Sequence, residues 1–413
     1  MPPTLALWSD GRMGVDGDLA RGLSELVAPG SRVALADGCG LPYALARPLS
    51  AVAARAGGVR LVLGWVPGPA PDLEPDAFAD IRTVVGGPGA RALIESGRAH
   101  RVPARLSATP ALLAGPLRPD LLLATVVRDD RGDLRFGAEA SWMRGLYDAG
   151  VPVAAVVSRS APHADAGPPL AGVAVLGEVD GPDGAPHTVA TPAPGDADRA
   201  VAAAVASLVP AGARIQFGPG RLAAALVEAL DVPVAVDSGL LADAVVDLDE
   251  RGLLRGTPSS TALYGSPRLY DWADRLGRAG RGTVRPVEHT HDVSRLSTDP
   301  GPLVALNTAL EIDRDGQVNV EGVAGSAAGM IGGHPDFAAA AVRGPGLSVI
   351  ALPAAHRGHP TLVERLGGPV TTPSHDVDVV VTERGTADLR GLGRAERRRA
   401  LSSLWDGAVT PDA

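Results

Sequence analysis

Two open α/β domains, each built on a mostly parallel sheet, are the fold class that this sequence predicts, on three observations. Short β-branched runs alternate with Ala- and Leu-rich helical stretches along the chain. The length of 413 residues exceeds one ordinary core and suits two domains of roughly 200 residues each. Aromatic residues make up only 3% of a chain that is 45% apolar, so the core must be packed from Ala, Val and Leu, as where helices lie closely on parallel strands.

In the first half, "SRVALADG", "GVRLVLGWV", "RPDLLLATVV" and "VPVAAVVS" read as buried parallel strands. The polar, Pro- and Gly-rich interval 176–198 reads as a hairpin or loop followed by a linker. Two domains follow, 1–195 and 196–413. The second opens on the helix "ADRAVAAAVASLV", followed by the strands "ARIQFGPG", "VPVAVDSG", "LSVIALPA" and "DVDVVVTERG". Each half runs helix, strand, glycine turn. In such sheets ligands bind at the carboxyl ends of strands, so the glycine turns are the first places to search.

Composition removes several function classes. There is no lysine, which excludes Schiff-base chemistry and the lysine of a Walker-type phosphate loop. A net charge of −9 and dispersed arginines argue against nucleic acid as a partner. Cys39 is the single cysteine, so no intrachain disulfide forms. The N-terminus lacks the basic start and apolar run of a signal peptide, and no stretch is long and apolar enough to cross a membrane, which predicts a cytoplasmic protein.

Four stretches could carry chemistry. Gly218, Gly220 and Ala223 give G-x-G-x-x-A between strand and helix, with Asp237 where a ribose-binding acid would sit; a plain strand-to-helix turn is the competing reading, since Pro219 removes a loop amide. "AGSAAGMIGGHPDF", 324–337, holds Gly332 and Gly333, which could bring backbone amides to an acyl oxyanion or simply shape a loop. Asn307 and Asn319 are amides in strand-like surroundings and need partners if buried. "RPVEHTHDV", 285–293, gathers Glu288, His289 and His291; an extended segment would point the two histidines the same way, but no further metal-binding motif accompanies them. A G-x-S-x-G elbow is missing.

"RPVEHTHDV", "ALNTALEIDRDGQVNVEGV", "GMIGGHPDF", "LSVIALPA" and "PVTTPSHDVDVVVTERGTADLRGLGRAERRRAL" occur in this order. Together they resemble the acetyl-CoA hydrolase/transferase family, which includes 4-hydroxybutyrate and succinyl-CoA:acetate CoA-transferases. The resemblance implies two α/β domains of CoA-transferase type with the active site between them, usually in homodimers. It implies an acyl-CoA and a small carboxylic acid as partners, with coenzyme A a substrate and no cofactor or metal. It makes Glu288 the nucleophile, which would form a glutamyl-CoA thioester in a ping-pong transfer. It sets Asn307 on the acyl carbonyl and the Gly332-Gly333 pair against the acyl group, with Gly218, Gly220, His334 and Asp336 in the substrate and CoA site. Hydrolysis by the same Glu288 and an inactive CoA-binding paralogue are the alternatives. Four places depart from the family pattern: Asp237-Ser238-Gly239 stands where many members have His-Ser-Glu, His334 replaces Gln after the glycine pair, Arg384 replaces Tyr, and His359-Pro360 lies where Ser-Arg is usual.

Overall fold

The computed structural model describes residues 10–323, 329–356 and 358–406. Part of the glycine-rich stretch, 324–328, therefore lies outside the described residues. The first sheet has eight strands: β1 Arg32–Leu35, β2 Arg60–Trp65, β3 Asp80–Gly86, β4 His100–Arg101, β5 Leu121–Arg128, β6 Leu134–Phe136, β7 Val153–Ser158 and β8 Ala174–Val179. Their order is β4-β3-β2-β1-β5-β7-β8, all parallel, with β6 antiparallel on β5. β1 and β5 consist almost wholly of buried apolar residues because helices cover both faces of the sheet.

β8 corrects the expectation of a loop or hairpin from residue 176. It is an edge strand whose side chains are mostly exposed or half-buried, so its sequence carries none of the apolar run that marks the inner strands.

The second sheet holds β9 Arg214–Phe217, β10 Ala235–Val236, β11 Leu303–Thr308, β12 Leu347–Ala351, β13 Val379–Thr382 and β14 Gly385–Asp388. The order is β10-β9-β11-β12-β13-β14, parallel except for the last pair. Each sheet thus reverses direction once, between β1 and β5 in the first and between β9 and β11 in the second. A crevice opens at the carboxyl ends of strands at such a reversal.

The halves interlock. Isolated bridges join Glu139 to Ala262, Ser141 to Pro286 and Asp165 to Val284. One apolar cluster runs from Val62, Leu122 and Trp142 through Tyr270 and Val284 to Phe217 and Val304. The two reversal points are held facing each other. No helix among the described residues is long and apolar enough to cross a membrane.

Candidate active site

Between the two reversal points lies a largely apolar cavity of about 420 Å³. The first sheet contributes Asp37, Trp65 and Val85 from the ends of β1, β2 and β3, together with Glu139. The second contributes Phe217 and Gly218 after β9, Ser238 and Gly239 after β10, and Leu306 to Thr308 at the end of β11. The Met330 to His334 loop closes one side.

Asn307, Gly218, Gly332, Gly333 and His334 all line this cavity. The buried Asn307 side chain has no partner for its Nδ2, leaving a free donor for a carbonyl oxygen. Burial lowers the His334 imidazole to a pKa of about 3, so it is neutral, and its Nε2 is also unpartnered. Gly332 has φ +54° with open space around it: the loop needs a left-handed residue there.

Gly333 is a glycine for another reason. A Cβ at this position would collide with Nε2 of His291 and lie 3.0 Å from the Phe337 ring. A side chain at Gly333 would thus meet protein before it met any ligand. His291 itself is fully buried, tilted against Phe337 at 4.8 Å between ring centroids, with Nδ1 2.9 Å from Thr290 Oγ1. Burial holds its pKa down to about 3, and Nε2, at the cavity wall, has no partner.

Three of the residues that the resemblance sets in the site do not line the cavity. Asp336 is buried beside it, accepting hydrogen bonds from the backbone N–H of Ser107 at 3.0 Å and its hydroxyl at 2.6 Å. With Leu106 N–H donating to Gly332 O at 3.2 Å, Asp336 fastens the glycine loop to the first half of the chain. Gly220 sits one step back, with φ +118°, where the chain turns into helix Arg221–Ala229.

Glu288 is the third. It lies in a single helical turn, Val287–Thr290, with His291 as the cap. Val287, Thr290 and His291 are buried while Glu288 is exposed, because i, i+3 and i+4 share one face and the second residue takes the other. Its carboxylate instead packs against Gly145 of helix Met143–Asp148, where a Cβ would collide with it. Partial burial, and then the Asp148 charge, raise its pKa. Glu288, which the resemblance makes the nucleophile, thus does not line the cavity. We expect Glu288→Ala to keep the folding stability within about 0.5 kcal/mol of the wild type; urea unfolding checks it. The helical turn also separates His289 from His291, since residues two apart on a helix do not face each other.

Asp237 is not available to a ribose. It accepts from Arg214 Nη1 at 3.1 Å and from Arg295 Nη1 and Nη2 at 3.0 and 2.8 Å. This buried ion cluster buttresses β9 and β10 from behind the cavity, and the G-x-G-x-x-A stretch is a strand-to-helix turn along the cavity wall.

Two carboxyls that the sequence reading passed over do line the cavity. Asp37 accepts from Trp65 N–H and, at 2.6 Å, from the Ser141 hydroxyl. Glu139 accepts from Cys39 N–H at 2.8 Å. The two carboxyls neighbour each other in this buried corner of the cavity. Burial raises both pKa values, and the neighbouring Asp37 charge drives that of Glu139 further up. The available signal was an acid directly after a buried strand and before a glycine, in "VALADG".

Residues 265–409 match the family model described as acetyl-CoA hydrolase/transferase C-terminal domain. The 4-hydroxybutyrate coenzyme A transferase of Clostridium kluyveri is 26% identical over 342 residues, 76% of this chain and 76% of that protein. An acetyl-CoA hydrolase of Kluyveromyces lactis is 31% identical over 204 residues, 45% of this chain and 37% of that one. In fold, the crystal structure of RipA from Yersinia pestis superposes with a TM-score of 0.81 at 23% identity, covering 97% of this chain and 99% of that chain. Over residues 265–409 this chain is thus similar to the acetyl-CoA hydrolase/transferase family through its C-terminal domain, and the fold of two reversed parallel sheets extends that likeness over the rest of the chain.

Proposed function

We propose that the chain cleaves a short-chain acyl-CoA thioester in the cavity between its two sheets and passes the acyl or CoA group to a small acceptor. The observation that carries this reading is the cavity wall itself: a largely apolar space of about 420 Å³ lined by Asn307, whose buried Nδ2 is an unpaired donor. Buried donors without partners are costly unless a ligand supplies the acceptor, and a thioester carbonyl developing negative charge is such an acceptor. The apolar lining suits a short acyl chain and excludes water from the reacting carbon.

The relatives support transfer of CoA to a carboxylate as the reaction. In that scheme a glutamate attacks the thioester, giving a mixed anhydride and CoA thiolate, and the thiolate returns to form a glutamyl-CoA thioester. Glu288 lies outside the cavity, so Glu139 is the glutamyl group that could serve. A second reading, hydrolysis, is favoured by a specific observation. The place where many relatives carry the Glu of His-Ser-Glu is Gly239, which lines the cavity without a side chain, and Glu139 neighbours Asp37.

The test is thiol release from acetyl-, propionyl- and butyryl-CoA, each with and without acetate or succinate. Release that depends on the added carboxylate supports transfer, release without it supports hydrolysis, and no release under either condition with any of the three overturns the reading.

A further inference from the structure

We propose that Asp37 and Glu139 form the catalytic acid–base pair of this cavity, acting on the thioester with water as the acceptor. The inference rests on the reading that an acyl-CoA thioester enters here, and it selects hydrolysis over transfer.

The pair stands at the reversal point of the first sheet. Asp37 follows β1, and Glu139 follows β6, the antiparallel partner of β5. The backbone is cleared around both carboxyls: a Cβ at Gly38 would collide with Glu139 Oε2, and one at Gly64 with Asp37 Oδ1. A pair of carboxyls that served only packing would be replaced at no loss by apolar groups of similar shape, whereas these two are given room, fixed donors and an opening onto the cavity. Facing the same space are the unpaired Asn307 Nδ2 and His291 Nε2, on side chains 7% and 0% exposed. These orphaned groups point to a polar ligand atom.

Two neighbouring buried carboxyls cannot both ionise readily, so they share one proton and divide the roles of base and acid. Asp37, ionised, takes a proton from water as the water oxygen bonds to the thioester carbon, and Asn307 donates to the carbonyl oxygen. The carbon–sulfur bond then breaks, and the CoA thiolate takes the proton of Glu139. Asp37 returns its proton to Glu139, while the carboxylic acid product ionises in solvent. Acyl-CoA and water thus become a carboxylate, a proton and free CoA, with no redox change. A transfer between two carboxylates would move no proton and would leave such a pair without a task.

Burial favours the neutral form of the other titrating groups around the pair. Burial pushes up the thiol of Cys39 and the phenols of Tyr43, Tyr264 and Tyr270, and it pushes down the imidazoles of His187 and His291. The pH profile of kcat/KM should therefore be bell-shaped, with both limbs belonging to the pair.

The experiment is a single turnover of acyl-CoA in ¹⁸O-water by the full-length enzyme, followed by mass analysis of the released acid and of the peptide containing Glu139. We expect ¹⁸O in the acid and none in the peptide. Glu139→Gln should keep the melting temperature and CoA binding while losing about 100-fold or more in kcat and the alkaline limb of the pH profile. An unlabelled acid with ¹⁸O in the Glu139 peptide would show a covalent glutamyl intermediate and overturn the inference, leaving thioester cleavage in this cavity standing. A wild-type profile without two limbs, or a folded Glu139→Gln at full rate, would overturn it as well. If no acyl-CoA in the panel releases thiol, with or without carboxylate, the functional reading falls first and takes the inference with it.

Discussion

Asp237→Ala is expected to cost about 3 kcal/mol of folding stability, at the lower end of what breaking a buried ion pair costs. The carboxylate is 6% exposed and serves two guanidinium groups, Arg214 and Arg295. Its removal takes away the acceptor the two guanidinium groups share, leaving Arg214 with the carbonyls of Leu296, Asp299 and Gly301 and Arg295 with His289 O and the Asp299 carboxylate. The His that many relatives carry here should not restore the loss, since an imidazole between two arginines cannot accept from both. A urea midpoint shifted to lower concentration with an unchanged slope is the expected result; a midpoint within error of wild type would show that the cluster contributes nothing. The departure from the family pattern at residue 237 thus has a local explanation: an acid belongs where two buried arginines converge.

Gly333→Val is expected to lose stability and activity together. The added Cβ would collide with His291 Nε2 and lie 2.7 Å from Cδ2. His291 is fully buried against Phe337, so it can yield only by swinging into the cavity or by lifting the glycine loop. Overpacking of this kind costs about 1–3 kcal/mol, and either adjustment occupies or reshapes the substrate space. Urea unfolding and the rate per folded molecule, read on one preparation, measure the two effects. Full activity in a destabilised protein would show that the loop's position does not matter to the reaction. The double variant Gly333→Val with His291→Ala should recover part of the stability, because it removes the group that the new methyls strike.

Much of the fold was legible because the inner strands are doubly buried. β1, β5, β7, β9, β11, β12 and β13 read as short apolar runs, and a residue with helices on both sides of its sheet has no reason to be polar. β8 was not legible, since an edge strand loses that constraint. Gly332, Gly333, His334 and Asn307, which the resemblance set in the site, all line the cavity, and the glycines and Asn307 also stand out in the sequence as interruptions of regular patterns. Glu288 was expected in the site from the resemblance alone, and "VEHTH" folds as a helical turn that keeps it off the cavity wall. Its buried face, Val287, Thr290 and His291, leaves the carboxylate outside. Asp37 and Glu139 escaped notice for another reason. Each is a lone acid in an apolar stretch, and only the reversal of the sheet between β1 and β5 brings together two residues a hundred positions apart.

The fastening of the glycine loop has a thermodynamic consequence. Leu106 and Ser107, from the first half of the chain, hold Gly332 and Asp336 of the second, and Arg105 Nη1 donates to Pro335 O at 3.2 Å. The wall of the cavity therefore exists only while the halves are docked, and any molecule that binds there does so at the expense of every undocked conformation. Ligand affinity and the docking equilibrium are two readings of one coupling free energy. A loosened clasp weakens binding by the fraction of time it is open, and a saturating ligand tightens the clasp by the same factor.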